Sequence, residues 1–478
     1  MKMKRQWKLA GKLLLVLQSL FIYTIMLEAQ SYPSYSGQTS GTYILNSDIT
    51  LNSTVTLNGN LTIYVGSGSV QNNNSPYKEK GFHIKRGNFN GDMFYVRGTA
   101  ANNIYTLTII GSDTDTVYID GGAVFNTPGD ARDGITNSTT CFGECLEANQ
   151  WGSIYLTKVV VENVATNKVD VYGTGGVAVS AISLQTGSPD NNSVTIPGFS
   201  MTDCIIRAIY SEADASAIMF RETRHRAKLL RTKVYKCFGS MGTIRSVGAT
   251  RSMLEVDNCQ IFSNKTRSNG AGFAWYAGGS TDAELTILGN TKIHDNVSGG
   301  NGGGLYLGSK VSITSADIYN NEAIKGGGIY LYTYTGFRPY SGHGIKFEMD
   351  ANVSVHDNTA VNDGGGVYVD MYASRFLGFD PDDNPISVED AKCAVTIKDG
   401  GRIYGNNAQN GGGLYVNDCL PYKFQNPQNG KWSNEYKREV IIEGGAIHDN
   451  VAYQESDSYY GGGYICAQKS WWIQLFCN

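Results

Sequence analysis

Three histidines recur inside one short phrase, Ile293-His294-Asp-Asn, Val355-His356-Asp-Asn and Ile447-His448-Asp-Asn. Neutral imidazole is the commonest metal ligand, so the repetition raises zinc chemistry. Calcium would need clustered oxygens. Asp380-Pro-Asp-Asp-Asn384 sets oxygens at alternate positions of an EF-type loop, but Pro385 stands where that loop needs Gly and Ala391 where it needs Glu. Gly299-Gly-Asn-Gly-Gly-Gly-Leu305 has the glycines of a calcium-binding nonapeptide, with Gly304 in place of the ligating Asp and the wrong period. Acid–base work on a glycosidic bond would need two carboxylates roughly 5–9.5 Å apart. Asp130, Asp133, Glu144 and Glu147 crowd a single stretch. No glycine-rich loop sits between a strand and a helix, so phosphate binding is not indicated.

Which of these side chains can meet depends on the elements that carry them. One phrase organises the chain: Ile or Val, usually an aromatic, any residue, Asn, a short gap, then a glycine cluster. It reads Ile293-His-Asp-Asn296 before Gly302–Gly304, Ile318-Tyr-Asn-Asn321 before Gly326–Gly328, and Val355-His-Asp-Asn358 before Gly364–Gly366. It returns as Ile403-Tyr-Gly-Asn406 with Gly411–Gly413 and Ile447-His-Asp-Asn450 with Gly461–Gly463. Weaker copies are Ile261-Phe-Ser-Asn264 and Val234-Tyr-Lys-Cys237, where Cys takes the Asn place; Ile206 and Val160 head two more. A short strand follows the glycines (Leu305-Tyr-Leu307, Ile329-Tyr-Leu331, Val367-Tyr-Val369, Leu414-Tyr-Val416), and another precedes the Ile/Val (Leu285-Thr-Ile287, Val311-Ser-Ile313). Each alternates at strand period.

Three short strands per repeat with Gly/Asn corners predict an all-β, single-stranded parallel β-helix with eight or nine recognisable coils. Alternate apolar side chains point inward and stack on the next coil, roughly 4.8 Å away. The asparagines Asn264, Asn296, Asn321, Asn358, Asn406 and Asn450 are expected to take the left-handed corner conformation and to stack as a ladder. On this frame His294, His356 and His448 are two coils apart, roughly 10 Å, and cannot share an ion. They read as an aromatic stack. No coil face pairs two acids in neighbouring coils, so no catalytic residue, cofactor or metal is predicted.

Residues 1–29 carry Lys2, Lys4, Arg5, Lys8 and Lys12 before the apolar run Leu13–Leu27 and the small Ala29, the order of a secretory signal peptide. No second run is long enough to span a membrane, so no transmembrane segment is expected after cleavage. Residues 30–125 read as an N-terminal cap and irregular first coils, 126–150 as a long loop, and 151–478 as the repeats. Apolar residues at 41% allow a large core, while charged residues at 17% disfavour long amphipathic helices. With a formal charge of −4 and no basic stripe, nucleic acid is not an expected partner. The nine cysteines form no CxxC pair. Cys393 and Cys419 flank neighbouring loop bases that a disulfide could bridge. The last strands of a coil are missing after Gly461-Gly-Gly-Tyr-Ile-Cys466, so a truncated chain is expected.

The phrases Ile318-Tyr-Asn-Asn-Glu-Ala-Ile-Lys-Gly-Gly-Gly-Ile-Tyr330 and Gly444-Gly-Ala-Ile447 resemble the repeats of the polymorphic outer membrane protein family, over about residues 200–466. That family pairs F-x-x-N with G-G-A-[I/L/V]; here Ile or Val replaces the aromatic, and a third Gly replaces Ala in most copies. The resemblance implies a right-handed parallel β-helix of the pectin-lyase-like type, displayed at a bacterial cell surface or outer membrane or released outside the cell. It implies a non-catalytic adhesin that binds host or matrix carbohydrate or a host surface protein. The alternatives are a polysaccharide lyase or glycoside hydrolase of the same fold and a structural surface-layer component. Gly342-His-Gly-Ile345 is similar to a polygalacturonase tetrapeptide but lacks that family's acidic motifs.

Insertions after Leu331, Val369 and Val416 leave one corner of the coil and should cluster along one edge, where repeat proteins often bind. They carry Phe376, Phe379, Tyr422 and Trp432. Beside them Tyr306, Tyr330, Tyr368 and Tyr415 form an outward ladder whose flat rings could stack on sugar or peptide. These eight residues are the predicted ligand contacts.

Overall fold

The computed structural model describes residues 32–69, 80–100, 102–140, 142–166, 180–185, 196–212, 215–221, 225–247, 252–276, 283–332, 346–370, 394–417, 439–453, 465–467 and 474–476. The chain is a parallel β-helix. Ile49, Ile84, Ile119, Val161, Ile206, Val234, Ile261, Ile293, Ile318, Val355, Ile403 and Ile447 face one another in register from coil to coil. From Ile84 to Ile403 every member of this column is fully buried. Twelve coils are therefore in register, more than the repeats predicted. Val161, not Val160, occupies the interior position opposite Ile206.

The first coils, expected to be irregular, pair as regularly as the rest: Gly41–Leu45 with Leu61–Val65, and these with Tyr105–Ile110. The coils carry three or four strand segments: the coil from Lys310 has three, Lys310–Tyr319, Glu322–Lys325 and Ile329–Tyr332, and others divide one of these into two. In the coil beginning at Glu284 the four are Glu284–Leu288, Thr291–His294, the two-residue Val297–Ser298, and Leu305–Gly308. Segments of the first three kinds join one 30-stranded sheet, and the fourth kind builds a second sheet of 12 strands, from Val55–Thr56 to Ile465–Ala467. Gln474–Phe476 adds one strand on Ile441–Glu443, where the sequence predicted none. No helix of the described residues is long and apolar enough to cross a membrane.

The phrase Ile-aromatic-x-Asn resolves into separate jobs. Asn264 through Asn450 form a buried ladder: each Nδ2 donates to the Oδ1 of the next coil's Asn at 2.9–3.0 Å. That oxygen also accepts the preceding Asn's backbone N–H. The other amide hydrogen bonds the carbonyl of the interior-column residue one coil back, as Asn321 does to Ile293. The left-handed residue is not the Asn, as expected, but the one before it: Ser263, Asp295, Asn320, Asp357, Gly405 and Asp449 have φ of 51–64°. Asp and Asn tolerate that region, which frees the ladder Asn to keep ordinary geometry. The glycine cluster divides labour too. Gly302, Gly326, Gly364 and Gly411 have positive φ. Two residues on, Gly304, Gly328, Gly366 and Gly413 have no room for a Cβ, which would fall 2.6–3.2 Å from the next ladder Nδ2.

Residues 126–150, predicted as a loop, are largely ordered strands. Phe125–Thr127 and Asp130–Ile135 form an antiparallel hairpin, and Leu146–Gln150 is a regular second-sheet strand between Phe94–Gly98 and Ile182–Gln185. The hairpin packs outside the solenoid: Phe125, Ala131 and Ala123 bury against Ala165, Ala208, Tyr210 and Phe238. Residues 1–29, predicted as a signal peptide, the insertion aromatics Phe376, Phe379, Tyr422 and Trp432, and Cys393 and Cys419 lie outside the described residues.

Candidate functional site

The outer face of the second sheet carries one side chain per coil in a single column. Tyr95, Glu147, Ser183, Met219, Arg245, Ala274, Tyr306, Tyr330, Tyr368 and Tyr415 are directly in register. The tyrosine ladder read from sequence is thus real, but its rings are not available to a ligand. Centroids of Tyr306, Tyr330, Tyr368 and Tyr415 follow at 5.2, 4.9 and 5.2 Å with the rings nearly parallel, so the facing sides of the rings are taken by their neighbours. The four are 2–8% exposed. Tyr330 donates its hydroxyl to Asp370, and Lys325 lies 5.0 Å above the Tyr368 ring. Burial, then the Asp370 charge, drives both phenols well above their usual range. The expected sugar platform is an internal zipper.

The same face is different in the N-terminal half. Next to the column, Arg97, Asn149, Gln185 and Arg221 also align coil by coil. Arg97 is exposed, and Asn149, Gln185, Arg221, Arg245 and Tyr276 are half-buried. Arg97 Nε donates to Gln150 at 3.0 Å, Gln185 to Ser183 at 3.0 Å and Arg245 to the Tyr276 hydroxyl at 2.6 Å. The result is a strip of guanidinium, amide and phenol groups at coil spacing.

At the end of this strip three acids converge. One carboxylate oxygen each of Asp92, Glu144 and Glu147 lie within 4.8 Å of one another, and all three residues are buried. The convergence is built by backbone. Arg86, itself buried, donates to the carbonyls of Gly91, Gly143 and Glu144, clamping two segments together. Gly143 makes that approach possible, since a Cβ there would overlap the Gly91 backbone. Burial, then the adjacent Asp92 carboxylate, pushes the Glu147 carboxyl up to about 9. Asn149 donates to Glu147 Oε1 at 3.2 Å. Tyr95, in register with Glu147, also titrates high, through burial and then the Glu147 charge. A buried carboxyl held protonated at neutral pH is a group that general acid–base chemistry can use.

Glu144 and Glu147 were visible in the sequence as acids, but not their partner. Asp92 lies in another coil, one strand away, behind the hairpin insertion. The available signal was the alternation Leu146-Glu-Ala148, which marks a strand with Glu147 outward. The histidine phrase, by contrast, is fully accounted for. Phe262, His294, Tyr319, His356, Tyr404 and His448 stack at 4.7–5.3 Å between centroids. Each His Nδ1 pairs with the Asp that follows, at 2.7–2.8 Å. The Asp of His-Asp-Asn therefore turns the corner and holds the ring, and the Asn builds the ladder. Four cysteines, Cys145, Cys204, Cys237 and Cys259, are buried and free.

No family model, curated protein or solved structure matches this chain.

Proposed function

We propose that the chain is an exported, non-catalytic surface protein of the adhesin type, which binds an extended acidic carbohydrate along the N-terminal half of the second sheet. The observation that carries the reading is the register of Arg97, Asn149, Gln185 and Arg221 beside Arg245 and Tyr276. Planar guanidinium and amide groups at a fixed repeat pair with carboxylates and hydroxyls in two-point contacts, and repetition along one face suits a polymer. The basic, apolar and small segments of residues 1–29 support export to the cell surface, outer membrane or medium. Binding of the full chain to an array of acidic and neutral polysaccharides tests this. R97A and R221A should each weaken binding to the acidic ligand at least tenfold, and unchanged binding in both would refute the proposal.

The Glu147–Asp92 pair favours a second reading, a polysaccharide lyase or glycoside hydrolase. Incubating the same panel with the protein and following release of unsaturated or reducing ends separates the two. Turnover that disappears in E147Q would replace the adhesin reading; binding without turnover would leave it standing.

A further inference from the structure

A second convergence of ligand-type side chains lies on the long sheet, apart from the strip and the acid triad. His83, Asp120 and Glu162 come from three consecutive coils, since Lys85 faces Asp120 and Asp120 faces Glu162 in register. A ring nitrogen of His83 and one carboxylate oxygen from each acid lie within 4.8 Å of one another. His83 is 6% exposed, and its Nδ1 has no hydrogen-bond partner. A buried imidazole nitrogen without a partner is costly unless something else binds it.

The surroundings orient rather than block these groups. The imidazole is stacked 4.5 Å from the Tyr118 ring, and its backbone N–H is held by Asp48. Asp120 Oδ1 accepts from the Gly122 N–H at 2.9 Å and from Asn163 Nδ2 at 3.3 Å. On Glu162 the fully buried Arg207 donates Nε to Oε2 at 2.8 Å, and a terminal nitrogen lies 2.8 Å from the same oxygen as an ion pair. Hydrogen bonds of this kind fix first-contact ligands in metal centres.

We infer that His83, Asp120 and Glu162 form a binding site for one divalent transition-metal ion of the zinc type. One nitrogen and two carboxylate oxygens suit zinc or cobalt better than calcium, which takes oxygen ligands throughout. Two carboxylates against the Arg207 charge leave the site one negative charge, which the ion would reverse. The ion would tie three coils together near the root of the external hairpin, whose first strand, Phe125–Thr127, follows the strand that ends at Asp120.

The test is cobalt(II) titration of the full chain after chelator treatment, followed by visible absorption and equilibrium dialysis, with zinc as competitor. One equivalent should bind, give ligand-field bands between those of octahedral and tetrahedral cobalt, and be displaced by zinc. H83F keeps a ring to stack on Tyr118 while removing the nitrogen. It should weaken binding by about 100-fold or more, and D120N, made separately, should weaken it at least tenfold. If H83F fails to fold, D120N together with loss of the cobalt bands decides the matter. Absence of cobalt binding by the folded wild-type chain overturns the inference. So does binding that survives H83F and D120N, or that is lost in E147Q instead, which would assign the ion to the acid triad.

Discussion

Asn321→Ala tests whether the buried ladder is a principal source of stability. The Asn321 side chain is fully buried and makes four hydrogen bonds. It donates to Asn358 Oδ1 and the Ile293 carbonyl, both at 2.9 Å. It accepts from Asn296 Nδ2 at 2.9 Å and the Asn296 N–H at 3.1 Å. Truncation strands two buried donors, the Asn296 N–H and one Asn296 amide hydrogen; the other still reaches Ile261. Asn358 Oδ1 keeps the Asn321 backbone N–H. At roughly 1–3 kcal/mol for each stranded donor, the loss should be about 4 kcal/mol, a large share of a typical domain's stability. Asn450, at the ladder's end, is 9% exposed, and water can replace its bonds. N450A should therefore cost about 1–2 kcal/mol. Urea unfolding of the two variants and of T359A, an exposed change on the neighbouring coil, supplies the comparison, with amide exchange locating the weakened coils. If N321A costs no more than T359A, the ladder is a passenger of the fold and the argument fails.

Gly366→Ala should cost about 3 kcal/mol or more, because the new Cβ would sit 2.6 Å from the Gly413 carbonyl and 2.9 Å from Asn406 Nδ2; a thermal melt indistinguishable from wild type would contradict this. In the native protein Cys145, Cys204, Cys237 and Cys259 should resist a water-soluble thiol reagent and react only on unfolding. Burial pushes the first three thiols up to about 12 and Cys259 to about 11. Mass mapping that finds any of the four labelled in folded protein would refute it. Two buried groups should tilt stability with pH in opposite senses. Burial lowers His225 to about 4, so its contribution is present above pH 6.5 and is lost, by up to about 3 kcal/mol, as pH falls from 6.5 to 4; H225Q should flatten that limb. Glu147 is raised, so its contribution is present below about pH 4.5 and is lost as pH climbs toward 9; E147Q should raise the urea midpoint at pH 8, and no rise would refute the raised carboxyl.

How far the sequence could be read follows from which contacts repeat. Interior-column residues and ladder asparagines meet their own kind one coil away, so one chemical requirement is written again at each turn and is visible as a phrase. In the early coils the corner is the same, with Asn163, Ala208 and Lys236 at positive φ, but Val164, Ile209 and Cys237 fill the ladder position. An apolar side chain satisfies that position by packing, without Asn or the glycine beside it, so the phrase vanishes while the backbone persists. That is why twelve coils read as eight or nine. Outwardness was legible for the tyrosines but exposure was not, because alternation tells which way a side chain points and not what neighbours cover it. The two polar convergences were the hardest to see. Asp92 and Glu147 belong to neighbouring coils that the hairpin insertion separates in sequence, and His83 reaches Asp120 diagonally across a register that no repeat announces. In a solenoid the periodic part of the sequence specifies the scaffold. Chemistry must come from departures from the period, and these can be placed only after every coil has been counted.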